Sequence, residues 1–260
     1  MLIRYISLML NGEATFADVL IALLLIVPIV LISLTVHEYM HGFVSYKFGD
    51  PTAMNYGRLT LNPIKHIDPF GAVCMLFFGF GWARPVPINS GYYKNTRLGI
   101  SMVSLAGPLS NFLMAFVATP IMLLIGHISI ETEFGNAPVW LVYTLRDIGL
   151  WSHVPSFGGK MALSLLMFFL YFIQINIMFG IFNLLPIPPL DGSRILLVFL
   201  PQKAYYFVVK YEMYIKLALM AILFTGLLDE PLNFLENGVF IVFFDLWGLI
   251  PGLGWKWNIT

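Results

Sequence analysis

The sequence predicts an α-helical integral membrane protein, a bundle of about four to six transmembrane helices with a small β-hairpin or re-entrant sheet segment. Three observations carry this. Of 260 residues, 59% are hydrophobic and only 11% charged, whereas a soluble domain carries about 25% charged residues. Several apolar runs approach the roughly 20 residues that cross a bilayer as a helix. Between the first two lies an interval of a different kind, dense in Gly, Pro and Asn. The residues read as a single polytopic domain over 1–260, with its functional core at about 19–195.

The first run, Val19 to Tyr46, carries His37, Glu38 and His41 in its last third. The next are Ile100 to Ile125, Met161 to Leu185 and Val208 to Leu228. A fifth, Val239 to Leu253, is short and broken by Gly248, Pro251 and Gly252, and reads as a tilted span or an interfacial segment. The N-terminal residues lack a small-residue cleavage site, so the first long run is expected to be a retained span. In the Gly/Pro-rich interval, Arg58–Leu61 and Ala72–Phe80 are short apolar runs bounded by turn residues, which predicts strands or a re-entrant hairpin.

Charge distribution excludes some partners and orients the rest. Net charge is zero, which gives nucleic acid no basic face. Residues 47–99 hold six Lys or Arg against Asp50 and Asp68, and Arg194, Lys203, Lys210 and Lys216 follow the third span. Basic residues favour the cytoplasmic side. The first and third spans are therefore expected to end on the cytoplasmic side, with His127 and His153 on the outer one.

His37-Glu38-Tyr39-Met40-His41 is an HExxH pattern on a predicted helix. Residues four apart share a helix face, so both imidazoles can reach one zinc ion while Glu38, about 100° around, serves as general base. Ionisable residues inside a span are costly and functional by default. A single cysteine, Cys74, excludes a disulfide and a thiolate cluster and reads as a small apolar packer. A third ligand must then be His, Asp or Glu. Asp191, in Pro188-Pro189-Leu190-Asp191-Gly192, is the candidate; its alternative is an interfacial Asp capping the next helix beside Arg194. His66 reads as an interfacial turn residue. Asn111, with Gly107 and Ala106, reads as a close helix-packing site.

Together, HExxH at His37–His41, the stretch from Asn183 to Gly192, Ala106-Gly107-Pro108-Leu109-Ser110-Asn111 and Gly57 to Pro63 resemble the site-2 protease family of intramembrane zinc metalloproteases. The resemblance covers about residues 20–195. It implies a three-helix core and one zinc ion, held by His37, His41 and Asp191. It also implies hydrolysis of peptide bonds in or near the membrane spans of other proteins, in a prokaryotic cytoplasmic membrane with the site towards the cytoplasm. It implies a minimal form without a PDZ or CBS domain. Asn183 is the implied oxyanion donor, with Asn176 the weaker alternative. A transport or sensor protein would need ionisable residues spread along a path, whereas these cluster at one point; an inactive relative would not need Glu38.

Overall fold

The computed structural model describes residues 9–12, 15–78, 81–129 and 157–250. Three of its helices are long and apolar enough to cross a membrane. These are α1 (Phe16–Lys47), α4 (Thr96–Ser129) and α5 (Phe157–Leu184), of 32, 34 and 28 residues. At about 1.5 Å per residue each exceeds the roughly 30 Å hydrocarbon layer. Short α2 (Thr52–Asn55) and α3 (Pro69–Phe78) fall between α1 and α4. α6 (Asp191–Phe199), α7 (Gln202–Thr225) and α8 (Asp229–Gly248) follow α5.

The expected four to six spans thus become three among the described residues. α7 and α8 are helical, but α7 carries Lys203, Lys210, Glu212 and Lys216, and α8 opens on Asp229 and Glu230. Of the fifth apolar run, residues 251–253 lie outside the described residues, as does His153.

α4 is the centre of the bundle. It packs most extensively on α5, then on α1, and α6 lies against it as well. Ala115 and Ala118 of α4 meet Leu166, Leu170, Ile173 and Ile177 of α5, and Phe240 and Phe244 of α8 close the cluster. Pro120 lacks the N–H that would bond the carbonyl of Phe116 four residues earlier. Trp247 of α8 supplies the missing donor, its Nε1–H reaching Phe116 O at 2.9 Å. By contrast, only Leu219 of α7 is buried.

The expected hairpin is not present: among the described residues there is no strand, only an isolated antiparallel bridge between Ile67 and Ala83. Ala72 to Phe78 is part of α3 instead. Asp68 and Pro69 set this helix: Pro suits the first helical position, and Asp68 Oδ1 accepts the N–H of Gly71 at 2.8 Å. Isolated side-chain and backbone hydrogen bonds replace a ladder elsewhere in the interval. Arg58 Nη2 donates to Arg84 O at 2.6 Å, His66 Nε2 to Thr60 O at 2.8 Å, and Arg84 N to His66 O at 2.8 Å.

Beyond α1 the chain is tied down by Asp50, which is fully buried. Its carboxylate accepts from Ser45 Oγ (2.8 Å), Thr52 N (2.9 Å), Asn89 N (2.7 Å) and the Thr52 hydroxyl. Burial alone would raise the Asp50 pKa, but these donors outweigh it and hold the carboxyl below its ordinary value. Ser45 also meets the buried Tyr93 hydroxyl at 2.7 Å, and burial pushes that phenol up. The bond from Asn89 holds residues 86–89 against the end of α1.

Candidate metal centre

His37 and His41 lie one turn apart on α1, and both are buried. Asp191 opens α6, 13% exposed in its side chain. Pro186, Pro188 and Pro189 follow the end of α5, and the chain re-enters helix at Asp191. Gly192 makes that re-entry possible, since a Cβ there would overlap the Leu184 carbonyl.

Three atoms converge. His37 Nε2 and His41 Nε2 are 3.0 Å apart, and each is 3.1 Å from Asp191 Oδ2. Ligands 2.0–2.1 Å from a tetrahedral zinc stand about 3.3 Å apart, so the triangle has nearly the required size. The other ring nitrogens confirm its chemistry. His37 Nδ1 donates to Asn111 Oδ1 and His41 Nδ1 to Val103 O, both at 2.6 Å. Those acceptors hold the ring protons on Nδ1 and turn both Nε2 lone pairs towards the carboxylate. Lone pairs and an anion so placed repel unless a cation joins them, so this donor set fits a divalent metal. Among the described residues it is the cluster of His, Cys, Asp and Glu able to hold one.

The supports of the site come from all three spans. Asn111 is fully buried, and its Nδ2 donates to Asn176 Oδ1 at 2.8 Å and reaches Ser33 O at 3.4 Å. Asn176 passes the chain on to Phe172 O at 2.8 Å. The sequence reading gave Asn111 a packing role; it also orients a ligand, and the signal was an amide buried in an apolar helix, which requires partners. Gly107 and the Val103 carbonyl were missed as site components because their roles appear only when α4 lies across α1.

Glu38 is placed separately, its Oε2 accepting the N–H of Val86 at 2.9 Å. Asn183 is not joined to the triangle; its Nδ2 donates to Phe179 O one turn back at 3.0 Å. His66 sits in a turn, as the sequence suggested, and is buried, 2% exposed. Cys74 is buried as expected of an apolar packer.

A helical bundle with three candidate spans and a His, His, Asp donor set beside a glutamate defines a membrane-embedded metal-dependent class of protein. The chain belongs to peptidase family M50, whose model matches residues 25–224. It is 42% identical over 166 residues to YwhC of Bacillus subtilis, covering 64% of each chain. It is 30% identical over 167 residues to Rip2 of Mycolicibacterium smegmatis, covering 62% of this chain and 52% of that one. The Rip2 of Mycobacterium tuberculosis H37Rv is 31% identical over 168 residues, with the same coverage. All three carry "zinc metalloprotease" in their names. The chain thus spans between about half and two thirds of the length of these relatives. No solved structure matches it significantly.

Proposed function

We propose that this chain is an intramembrane zinc metalloprotease that hydrolyses peptide bonds within or near the transmembrane segments of other membrane proteins. The observation that carries the reading is the convergence of His37 Nε2, His41 Nε2 and Asp191 Oδ2 within 3.1 Å, with Glu38 on the next residue of the same helix. Family membership and the relatives' names agree with it. The chain acts as one membrane-embedded unit with its catalytic core at about 19–195. The excess of Lys and Arg at 47–99 supports a site towards the cytoplasmic face of a prokaryotic cytoplasmic membrane.

His37, His41 and Asp191 would hold the zinc, which when bound acidifies water and polarises a carbonyl. Glu38 is the general base. Its Oε2 is engaged by Val86 N–H, which fixes the carboxylate and leaves Oε1 to take a proton from the attacking water and return it to the leaving amine. Asn183 commits one amide proton to Phe179 O; its second is the proposed donor to the oxyanion.

Replacing Glu38 with Gln tests the assignment. Zinc content of the purified chain should stay near that of the wild type, while cleavage of a membrane-spanning substrate falls by about 10²–10⁴-fold. Transport of a divalent cation across vesicles by this variant would refute the reading.

A further inference from the structure

A cavity of about 460 Å³ opens near the start of α4, walled by α4, α6, the first turn of α7 and residues 88–93. Two arginines line it, Arg97 in the first turn of α4 and Arg194 of α6, and no carboxylate does. Both are exposed, and among the described residues neither guanidinium makes an ion pair or a hydrogen bond. The Arg194 charge acts on the Tyr93 phenol, which lines the same cavity. The other polar lining residues, Ser90, Thr96, Ser104, Gln202 and Tyr205, are neutral. Two guanidiniums without a counter-charge select an anion, and their planar donor forks suit phosphate oxygens.

Ser104 marks the deep end. It is 3% exposed, its hydroxyl has no hydrogen-bond partner among the described residues, and its oxygen is not fully enclosed. A side chain so buried presents that oxygen to the cavity that it lines. The depth follows from α4. Its apolar span Thr96–Ile125 has 30 residues, about 45 Å at 1.5 Å per residue. That length matches a bilayer with its headgroups, about 40–45 Å. Arg97 thus stands at headgroup level, and Ser104 lies about 10 Å deeper, at the border of the hydrocarbon. Between them Ile100, Leu197 and Leu200 give the wall an apolar side. Nearby Leu196, Phe199 and Tyr206 are exposed. Paired cations above, a hydroxyl below and an apolar flank follow the order of parts in a phospholipid. A free anion or a peptide carboxylate would use only the arginines.

We propose that this cavity binds the headgroup of an anionic phospholipid, its phosphate between Arg97 and Arg194 and its glycerol oxygens towards Ser104. The site stands apart from the hydrolytic reading and holds whether or not the chain cleaves peptides. It also bears on the metal centre. Arg194 is one turn from Asp191 on α6, and Ser104 follows Val103, whose carbonyl holds His41. A lipid seated there joins α4 to α6 beside two of the three proposed ligands.

Native mass spectrometry of the full chain in neutral detergent, where no membrane surface potential acts, tests the assignment. Phosphatidylglycerol and phosphatidylcholine are titrated separately. The wild type should prefer phosphatidylglycerol by at least about tenfold; equal binding of the two lipids would overturn the proposal without recourse to any variant. Arg97→Gln with Arg194→Gln should erase the preference, and Ser104→Ala should weaken phosphatidylglycerol binding about threefold. Lys65→Gln with Lys210→Gln removes the same charge from exposed positions outside the cavity and should leave the preference intact. Equal loss in the two double variants would mean diffuse attraction and sink the site. Excess inorganic phosphate and an oligoglutamate peptide serve as competitors. Displacement of the lipid by phosphate would reassign the cavity to a free anion, and displacement by the peptide would reassign it to an acidic protein segment. Resistance to both supports the lipid.

Discussion

Gly107 of α4 packs directly against His41 of α1: a methyl group on the glycine would overlap His41 Nε2 and lie 2.6 Å from His37 Nε2. The absence of a side chain is what lets two spans approach closely enough for the imidazoles to converge. Neither ring can retreat, because each is also bonded through Nδ1 to α4. Gly107→Ala should therefore reduce zinc retained by the purified chain at least about tenfold, the scale of losses from disturbing the supports of a metal ligand. Zinc content by mass spectrometry checks it; wild-type content would show that α4 shifts without cost.

Asn111 should matter through His37 alone. Asn111→Leu removes the acceptor for Nδ1 and strands Asn176, so zinc affinity should fall by about 10–100-fold in competition with a chelator. Asn111→Asp keeps an acceptor for His37 and should lose less. Equal losses in the two variants would show a packing role only.

Asp50 gives the fold a pH dependence whose sign is fixed. Its folded pKa is depressed, so its contribution is fully present above the ordinary carboxylate value of about 3.9 and is lost as pH falls through the folded value. Asp50→Asn should destabilise the chain by about 1–3 kcal/mol at pH 7, as expected when buried donors lose an ionised acceptor. The variant should also show a shallower fall in thermal midpoint between pH 6 and pH 3 than the wild type. Parallel curves would assign the acid sensitivity to other groups.

Chelation should lower the thermal midpoint, because an ion bound only by the folded state stabilises it by about 2.7 kcal/mol at one hundred times its dissociation constant. Zinc should restore the midpoint and magnesium should not, since nitrogen donors disfavour the harder ion. Restoration by magnesium would exclude the imidazoles as ligands.

How much of this was legible in the sequence differs by element. The three spans were, because an 18-residue apolar run is a local property that lipid enforces. His37, Glu38 and His41 were also legible, since helical periodicity alone puts i and i+4 on one face. The interval at 58–78 was misread, and residues 79 and 80 of the expected run lie outside the described residues. Its short runs have the composition of strands, and the decisive signal was the Asp68-Pro69 pair that caps α3. The burial of His66 was not legible, because it arises only when the interval folds back on α1.

By itself, then, the sequence determined which segments prefer lipid, and which residues within them could carry metal chemistry, because both follow from composition and short-range spacing. Only the tertiary structure decided that Asp191 meets two imidazoles 150 and 154 residues away. It also decided that Gly107 makes room for them, and that Asn111 and the Val103 carbonyl fix their tautomers. These are relations between α1, α4 and α6, set by how closely the helices pack. No local pattern encodes a distance across a bundle.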